Sequence, residues 1–260
     1  MNFFYSFARF ILYPVARLFL PATVVNKKNF PRRRNLIVVA NHLSWQDAPL
    51  LAVYTPYYRH FFAKKEAGEK FLPRLLLKWL GVILVDRDKP ELSSIRKILT
   101  YLKKGHGVNI FPEGTRNKTG TSQIQQVKSG AAMFAVKSKT PIVPVMIYSK
   151  TKFFRRNFLY VGEEFSLTEF EGRPLKDGEL EKAAAIVEEA LLKTKAQMDE
   201  YVLTRFPKNA AKIAKSDAAE KTANTTENAA ESLTAAENAT ATENATENAA
   251  EKTDSAEGGA

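Results

Sequence analysis

The sequence predicts an α/β domain: a central, mostly parallel sheet covered by helices, with an N-terminal amphipathic interfacial helical segment and a disordered C-terminal tail. Three observations predict it. From Leu36 onward, short runs rich in Val and Ile alternate with stretches of helical character. The runs are continuously apolar, as in strands buried on both faces. After Pro207 the composition shifts to Ala, Glu, Asn, Thr and Lys. The expected organisation is a membrane-associating segment over 1–30, a folded domain over 31–208 and a tail over 209–260.

Residues 2–20 hold many Phe and Leu, but Arg9, Arg17 and Pro14 interrupt them, and no small-residue cleavage site follows. At 100° per residue Ser6, Arg9, Tyr13 and Arg17 share one narrow arc and the apolar residues cover the rest. An interfacial helix, kinked or broken at Pro14, fits this pattern; a helix packed on the domain's own core is the competing reading. Lys27-Lys28 and Arg32-Arg33-Arg34 follow, and each cation near an anionic bilayer adds about 1 kcal/mol.

The strands are expected at Leu36–Ala40, Val82–Val85, Val108–Phe111, Ile142–Tyr148 and Phe158–Val161. Helices are expected near Ser44–Tyr54, Lys70–Leu80, Glu91–Lys104, Ile124–Ser138 and, from its Ala, Leu, Glu and Lys content, Asp177–Thr204. The tail repeats Glu-Asn-Ala-Thr at 237–240 and 243–246 and lacks a core-forming set. Its Asn-x-Thr triplets at Asn224, Asn238 and Asn244 are read as by-products of the repeat.

A chain of 260 residues, 45% of them hydrophobic, can bury a sizeable core. Residues 1–208 carry 35 Lys/Arg against 18 Asp/Glu, and residues 209–260 carry 4 against 10. So basic a body seeks a polyanion, either nucleic acid or anionic lipid. The absence of Cys excludes a thiolate nucleophile, a disulfide framework and a Cys-type zinc site.

Four stretches carry chemistry. In Asn41-His42-Leu43-Ser44-Trp45-Gln46-Asp47, directly after a strand, His42 with Asp47 has the makings of a general base whose tautomer a carboxylate fixes. Ser44-x-x-Asp47 also resembles a capping box, and both roles can hold together. His60 and His106 form no ligand spacing with it, so no metal is expected. Gly81 to Arg87 is a strand ending in an Arg placed to bind a phosphate or carboxylate, or simply to pair with Asp86 or Asp88. Val108 to Asn117 runs a strand into Pro112-Glu113-Gly114-Thr115-Arg116, which presents a carboxylate and a cation at the sheet edge or forms an ordinary turn with an ion pair. Lys128-Ser129-Gly130 can hold a phosphate at a helix N-terminus, and Pro141-Ile142-Val143-Pro144 opens the following strand.

In this order the four blocks resemble the glycerolipid acyltransferase family, most closely its bacterial 1-acylglycerol-3-phosphate acyltransferases. NHLSWQD resembles the family's N-H-x-x-x-x-D block, GVILVDR its strand-plus-Arg block, FPEGTRN its F-P-E-G-T-R block and IVPV its V-P block, over about residues 34–160. Leu84 stands where many relatives carry Phe, and the tail has no counterpart. The resemblance implies that residues 31–208 are the catalytic domain. It makes His42 the base on the acceptor's hydroxyl and Asp47 its orienting carboxylate. Arg87, Glu113, Gly114, Thr115, Arg116 and Lys128 would bind the glycerol phosphate, and Val143 and Pro144 would shape the acyl channel.

The resemblance further implies transfer of an acyl group to lysophosphatidate with no cofactor, the co-substrate being an acyl thioester on coenzyme A or acyl carrier protein. No G-x-S-x-G nucleophile is present, which favours direct transfer over an acyl-enzyme. The expected partner is an anionic membrane surface rather than nucleic acid, the expected place the cytoplasmic face of the cell membrane, and the mode of attachment peripheral or monotopic. The alternatives are another lysophospholipid or glycerol 3-phosphate as acceptor, or a non-catalytic basic membrane-binding protein.

Overall fold

The computed structural model describes residues 13–15, 17–64, 82–85, 92–117, 123–215 and 218. Six strands form the main sheet: β1 (Ala22–Val25), β2 (Ile37–Ala40), β3 (Arg59–His60), β6 (Gly107–Ile110), β7 (Ile142–Ile147) and β8 (Asn157–Val161). Their order is β1-β8-β7-β2-β6-β3. Every pairing is parallel except β7 with β8. The strands β4 (Phe62–Lys64) and β5 (Ile83–Val85) pair in parallel as a separate two-stranded sheet.

The main sheet is buried on both faces, as its unbroken apolar runs require. Along β2, Ile37 and Val39 face a core built with Ile98 and Leu102 of α2 (Leu92–Lys103), Ala131 and Ala135 of α3 (Gly130–Ser138) and Val187 and Leu191 of α4 (Glu179–Arg205). Val38 and Ala40, pointing the other way, pack with Leu50, Leu51 and Tyr54 of α1 (Asp47–Tyr54). The period of two along one strand therefore feeds two helical layers.

Local chemistry sets the boundaries. Pro49 falls in the first turn of α1, where its missing N–H is no loss. Thr55, pushed to extended backbone by Pro56, ends that helix. Pro144 lies inside β7 yet removes no ladder bond. Ile142 pairs with Phe165 and Val145 with Val161, so β8's side carries one extra residue there, and the absent N–H falls at this bulge. At the same place Gly162 lets the chains approach closely, since a Cβ on it would stand 2.7 Å from Pro144 Cγ and 2.4 Å from Thr194 Oγ1.

Several boundaries differ from expectation. Ala22–Val25 forms an edge strand of the main sheet, so part of segment 1–30 belongs to the folded domain; a run of four residues beside Pro21 is too short to show periodicity. The helix expected from Ile124 starts at Gly130, because the preceding backbone bonds the 112–114 turn instead. The tail expected to be disordered from Asn209 is helical over 207–215, with Ala210 and Ile213 buried in the α4-side core. The helix expected at Lys70–Leu80, residues 2–12 of the interfacial segment and nearly all of the remaining tail lie outside the described residues. Among the described residues no helix is long and apolar enough to cross a membrane.

Candidate active site

Three chain segments meet at the carboxyl end of β2. The first is the corner Asn41–Asp47, anchored by Asn41. Its side chain donates to Ile147 O at 3.0 Å and accepts from Ile147 N at 2.8 Å, extending the β2–β7 ladder by one rung. His42 comes next, with its side chain 11% exposed, and its Nδ1 lies 3.1 Å from Asp47 Oδ2.

Asp47 is fully buried and every polar contact it makes is local to the site. Oδ2 accepts from the amides of Leu43 and Ser44, both at 2.6 Å, as well as meeting His42. Oδ1 accepts from Thr151 Oγ1 at 2.5 Å and from Ser44 Oγ at 3.3 Å. The capping and orienting roles are thus carried by one carboxylate: it closes the chain just before α1 and holds the imidazole from the same oxygen. The helix itself begins at Asp47 rather than Ser44, whose hydroxyl accepts from Gln46 N at 3.1 Å.

The second segment is the turn Pro112–Asn117. Glu113 is 3% exposed; Oε1 accepts from His42 N at 2.8 Å and Oε2 from Gln125 N at 3.1 Å. Burial pushes its pKa above the usual carboxylate value, against the two amide bonds that pull it down. Asn117 N donates back to His42 O at 2.8 Å, so corner and turn exchange bonds in both directions. Phe111 stacks on the His42 ring at a centroid distance of 4.0 Å and 14° between planes, which fixes the ring's tilt.

The third segment enters the turn from beyond. Lys128 N donates to Pro112 O at 2.9 Å, and the Lys128 side chain lies over Gly114: a Cβ there would stand 3.1 Å from its Nζ. Gly114 has φ +75°, a left-handed conformation that side chains resist. Beside the turn lies a cavity of about 240 Å³, mostly apolar, whose lining includes Phe111, Pro112, Gly114, Lys128, Ile98 and Phe134.

The expected site residues therefore distribute as follows. His42, Asp47 and Glu113 come together, and Gly114 meets Lys128. Thr115 and Arg116 are exposed on the same turn. Val143 is wholly buried in the α1-side core and Pro144 is buried at the bulge, and neither lines the cavity. Arg87 lies outside the described residues. Asn41, Phe111 and Thr151 hold the site and were given no role from sequence; Asn41 and Phe111 lie inside the N-H-x-x-x-x-D and F-P-E-G-T-R blocks, whereas Thr151 gave no signal. Among the described residues no group of three or more His, Asp or Glu is arranged to hold a metal ion.

A neutral imidazole bonded through Nδ1 to a carboxylate keeps the Nε2 lone pair as its basic site. That arrangement, at a strand end and on a turn whose other side borders an apolar cavity, is competent as a general base. The family model described as Acyltransferase matches residues 21–148. The 1-acyl-sn-glycerol-3-phosphate acyltransferase of Bacillus subtilis is 34% identical over 171 residues, 64% of this chain and 82% of that protein. The protein of the same name from Borreliella burgdorferi is 30% identical over 142 residues, 53% of this chain and 55% of its own length. The chain belongs to the glycerolipid acyltransferase family and is an acyltransferase. The crystal structure of the 1-acyl-sn-glycerophosphate acyltransferase PlsC from Thermotoga maritima shares the fold, with a TM-score of 0.58 over 76% of this chain and 80% of that one at 24% identity.

Proposed function

We propose that this enzyme transfers a fatty acyl group from an acyl thioester to the sn-2 hydroxyl of 1-acylglycerol 3-phosphate, forming phosphatidate for phospholipid synthesis. The observation that carries the mechanism is the 3.1 Å contact between His42 Nδ1 and the buried Asp47. His42 Nε2 takes the proton of the acceptor's hydroxyl, and the oxygen attacks the thioester carbonyl. The tetrahedral oxyanion collapses, the C–S bond breaks, and the proton passes from His42 to the leaving thiolate. Asp47 stabilises the imidazolium between these steps.

Arg87, Gly114, Thr115, Arg116 and Lys128 hold the acceptor's phosphate. Supporting this reading are the Lys128 side chain over Gly114 and the exposed cation of Arg116 on the turn that bonds His42. Glu113 serves the same site by tying the His42 amide to the 125 loop, since both its oxygens are occupied by backbone donors. The apolar cavity beside Phe111 suits a hydrocarbon chain better than the buried Val143 and Pro144 do. The donor rides on coenzyme A or acyl carrier protein, no cofactor is needed, and the enzyme works peripherally on the cytoplasmic face of an anionic membrane.

An acceptor panel with the purified full-length protein tests this. Transfer to lysophosphatidate and not to choline-bearing or uncharged acceptors is expected, and equal rates on all three would overturn the phosphate reading.

A further inference from the structure

The loop between β7 and β8 carries the most exposed aromatic side chain among the described residues. Phe154 is 71% exposed and Phe153 is exposed beside it. Phe154 has φ +56°, a left-handed conformation unfavourable for a bulky aromatic. The loop is held in that shape: Phe154 N donates to Phe19 O at 2.7 Å, and Arg155 Nη2 donates to Ser149 Oγ at 2.9 Å. Asn157 closes its base with bonds to the carbonyls of Lys152 and Arg155.

Two ring contacts join the loop to other exposed apolar residues. Phe154 meets Phe19 at 5.0 Å between centroids, and Phe153 meets Trp45 at 5.7 Å. With Leu18, itself 70% exposed, these residues make one apolar patch from three distant parts of the chain. Lys150, Lys152 and Arg156 flank Phe153-Phe154 in the chain, whereas the Arg155 guanidinium is buried and bonds Ser149 Oγ and the Lys150 carbonyl, and no Asp or Glu occurs between Glu113 and Glu163. Aromatic side chains at the tip with cations around them match an anionic lipid surface, apolar tips entering the acyl boundary and cations meeting headgroups.

The patch is also bonded to the catalytic pair. Trp45 lies between His42 and Asp47 in the chain, and Thr151, three residues before Phe154, donates to Asp47 Oδ1. We propose that residues 150–156, with Trp45 and with Leu18 and Phe19 at the end of the 2–20 segment, form a membrane-docking surface that seats the His42 corner on an anionic bilayer, and that it does so without residues 2–12. The inference rests on the proposed lipid acceptor, which must be taken from such a surface.

The test uses the full chain and vesicles of phosphatidylcholine with phosphatidylglycerol. Phe153→Ser with Phe154→Asn removes the apolar tip while keeping a residue that tolerates left-handed backbone at 154. Vesicle partitioning is expected to weaken at least about tenfold, given the apolar area lost from two Phe. Thermal midpoint and transfer to detergent-dispersed lysophosphatidate should be unchanged. Phe154→Trp, read as a difference from the parent, should add an emission component that shifts to the blue on vesicles and is quenched by brominated lipid.

Undiminished partitioning of the double variant, or an unshifted Trp at 154, overturns the proposal. So does a variant that loses self-association but keeps vesicle binding, which would assign the patch to a protein contact. Lack of transfer in detergent by the parent would instead sink the acceptor reading and leave vesicle partitioning to decide the patch.

Discussion

The corner Asn41–Asp47 and the turn Pro112–Asn117 each carry one buried acid with both oxygens engaged, yet the two acids serve different ends. Asp47 accepts two amides and two hydroxyls and still meets the imidazole. Among the described residues Glu113 bonds two amides and no other group, one of them that of His42 itself. The ring is thus held from both sides, by Asp47 through Nδ1 and by Glu113 through the backbone beneath it. The difference teaches that an acid in such a motif can act through the main chain, and that burial alone does not mark the acid that meets the imidazole.

Substitutions can break or sharpen that contrast. His42→Ala should lower kcat about 10,000-fold, at the upper end of what a general base contributes, with the thermal midpoint little changed. An unaffected rate would remove His42 from the mechanism. Asp47→Asn should cost about 100-fold in kcat by favouring the wrong tautomer, together with about 1–3 kcal/mol of stability from mismatched amides, measured by steady-state kinetics and denaturant unfolding.

Glu113→Ala should reverse the balance. Stability falls by roughly 2–4 kcal/mol as His42 N and Gln125 N lose their acceptor, while kcat falls only about tenfold through misplacement of the ring. A rate loss as large as that of Asp47→Asn, at unchanged stability, would show the two acids to be equivalent. The pH dependence has a definite sign. A carboxyl whose folded pKa is raised contributes its stability in full below the unfolded value of about 4.3, and that contribution is lost as pH rises through the folded pKa. The stability gap between parent and Glu113→Ala should therefore narrow as pH rises through that range.

Thr151→Val removes one bond to Asp47 and should cost about 1 kcal/mol and a few-fold in kcat, a finer measure of how firmly the corner must be held. The smallest effect is expected at Glu179, an acid outside both regions. Arg173 grips it through both nitrogens at 2.6 and 2.8 Å, Lys176 N adds a bond at 2.8 Å, and its pKa falls to about 2. Being depressed, it contributes stability above about pH 4.3 that is lost as pH falls through about 2. Glu179→Gln should be slightly less stable than the parent at neutral pH, converge with it in strong acid and transfer acyl groups at the parent's rate.

Much of the architecture was legible in the sequence because strand burial and helix periodicity are local signals. The strands Ile37–Ala40 and Ile142–Ile147 lie within a residue of expectation. Short edges such as Ala22–Val25 and Arg59–His60 were not legible, since four residues or two show no period. The onset of α3 at Gly130 was misplaced because residues before it, apolar enough for a helix, are drawn into the turn's hydrogen bonds.

By itself the sequence determined the alternating α/β layout, the family and the residues that could do acid–base and phosphate chemistry, because side-chain type and spacing are written in it. Only the tertiary structure decided what each acid bonds. The deciding long-range bonds join residues 71 and 104 positions apart, and the first uses a backbone amide, a group that every residue except proline possesses. An amide donor leaves no mark in a sequence; it becomes specific only when the sheet brings one strand end against another.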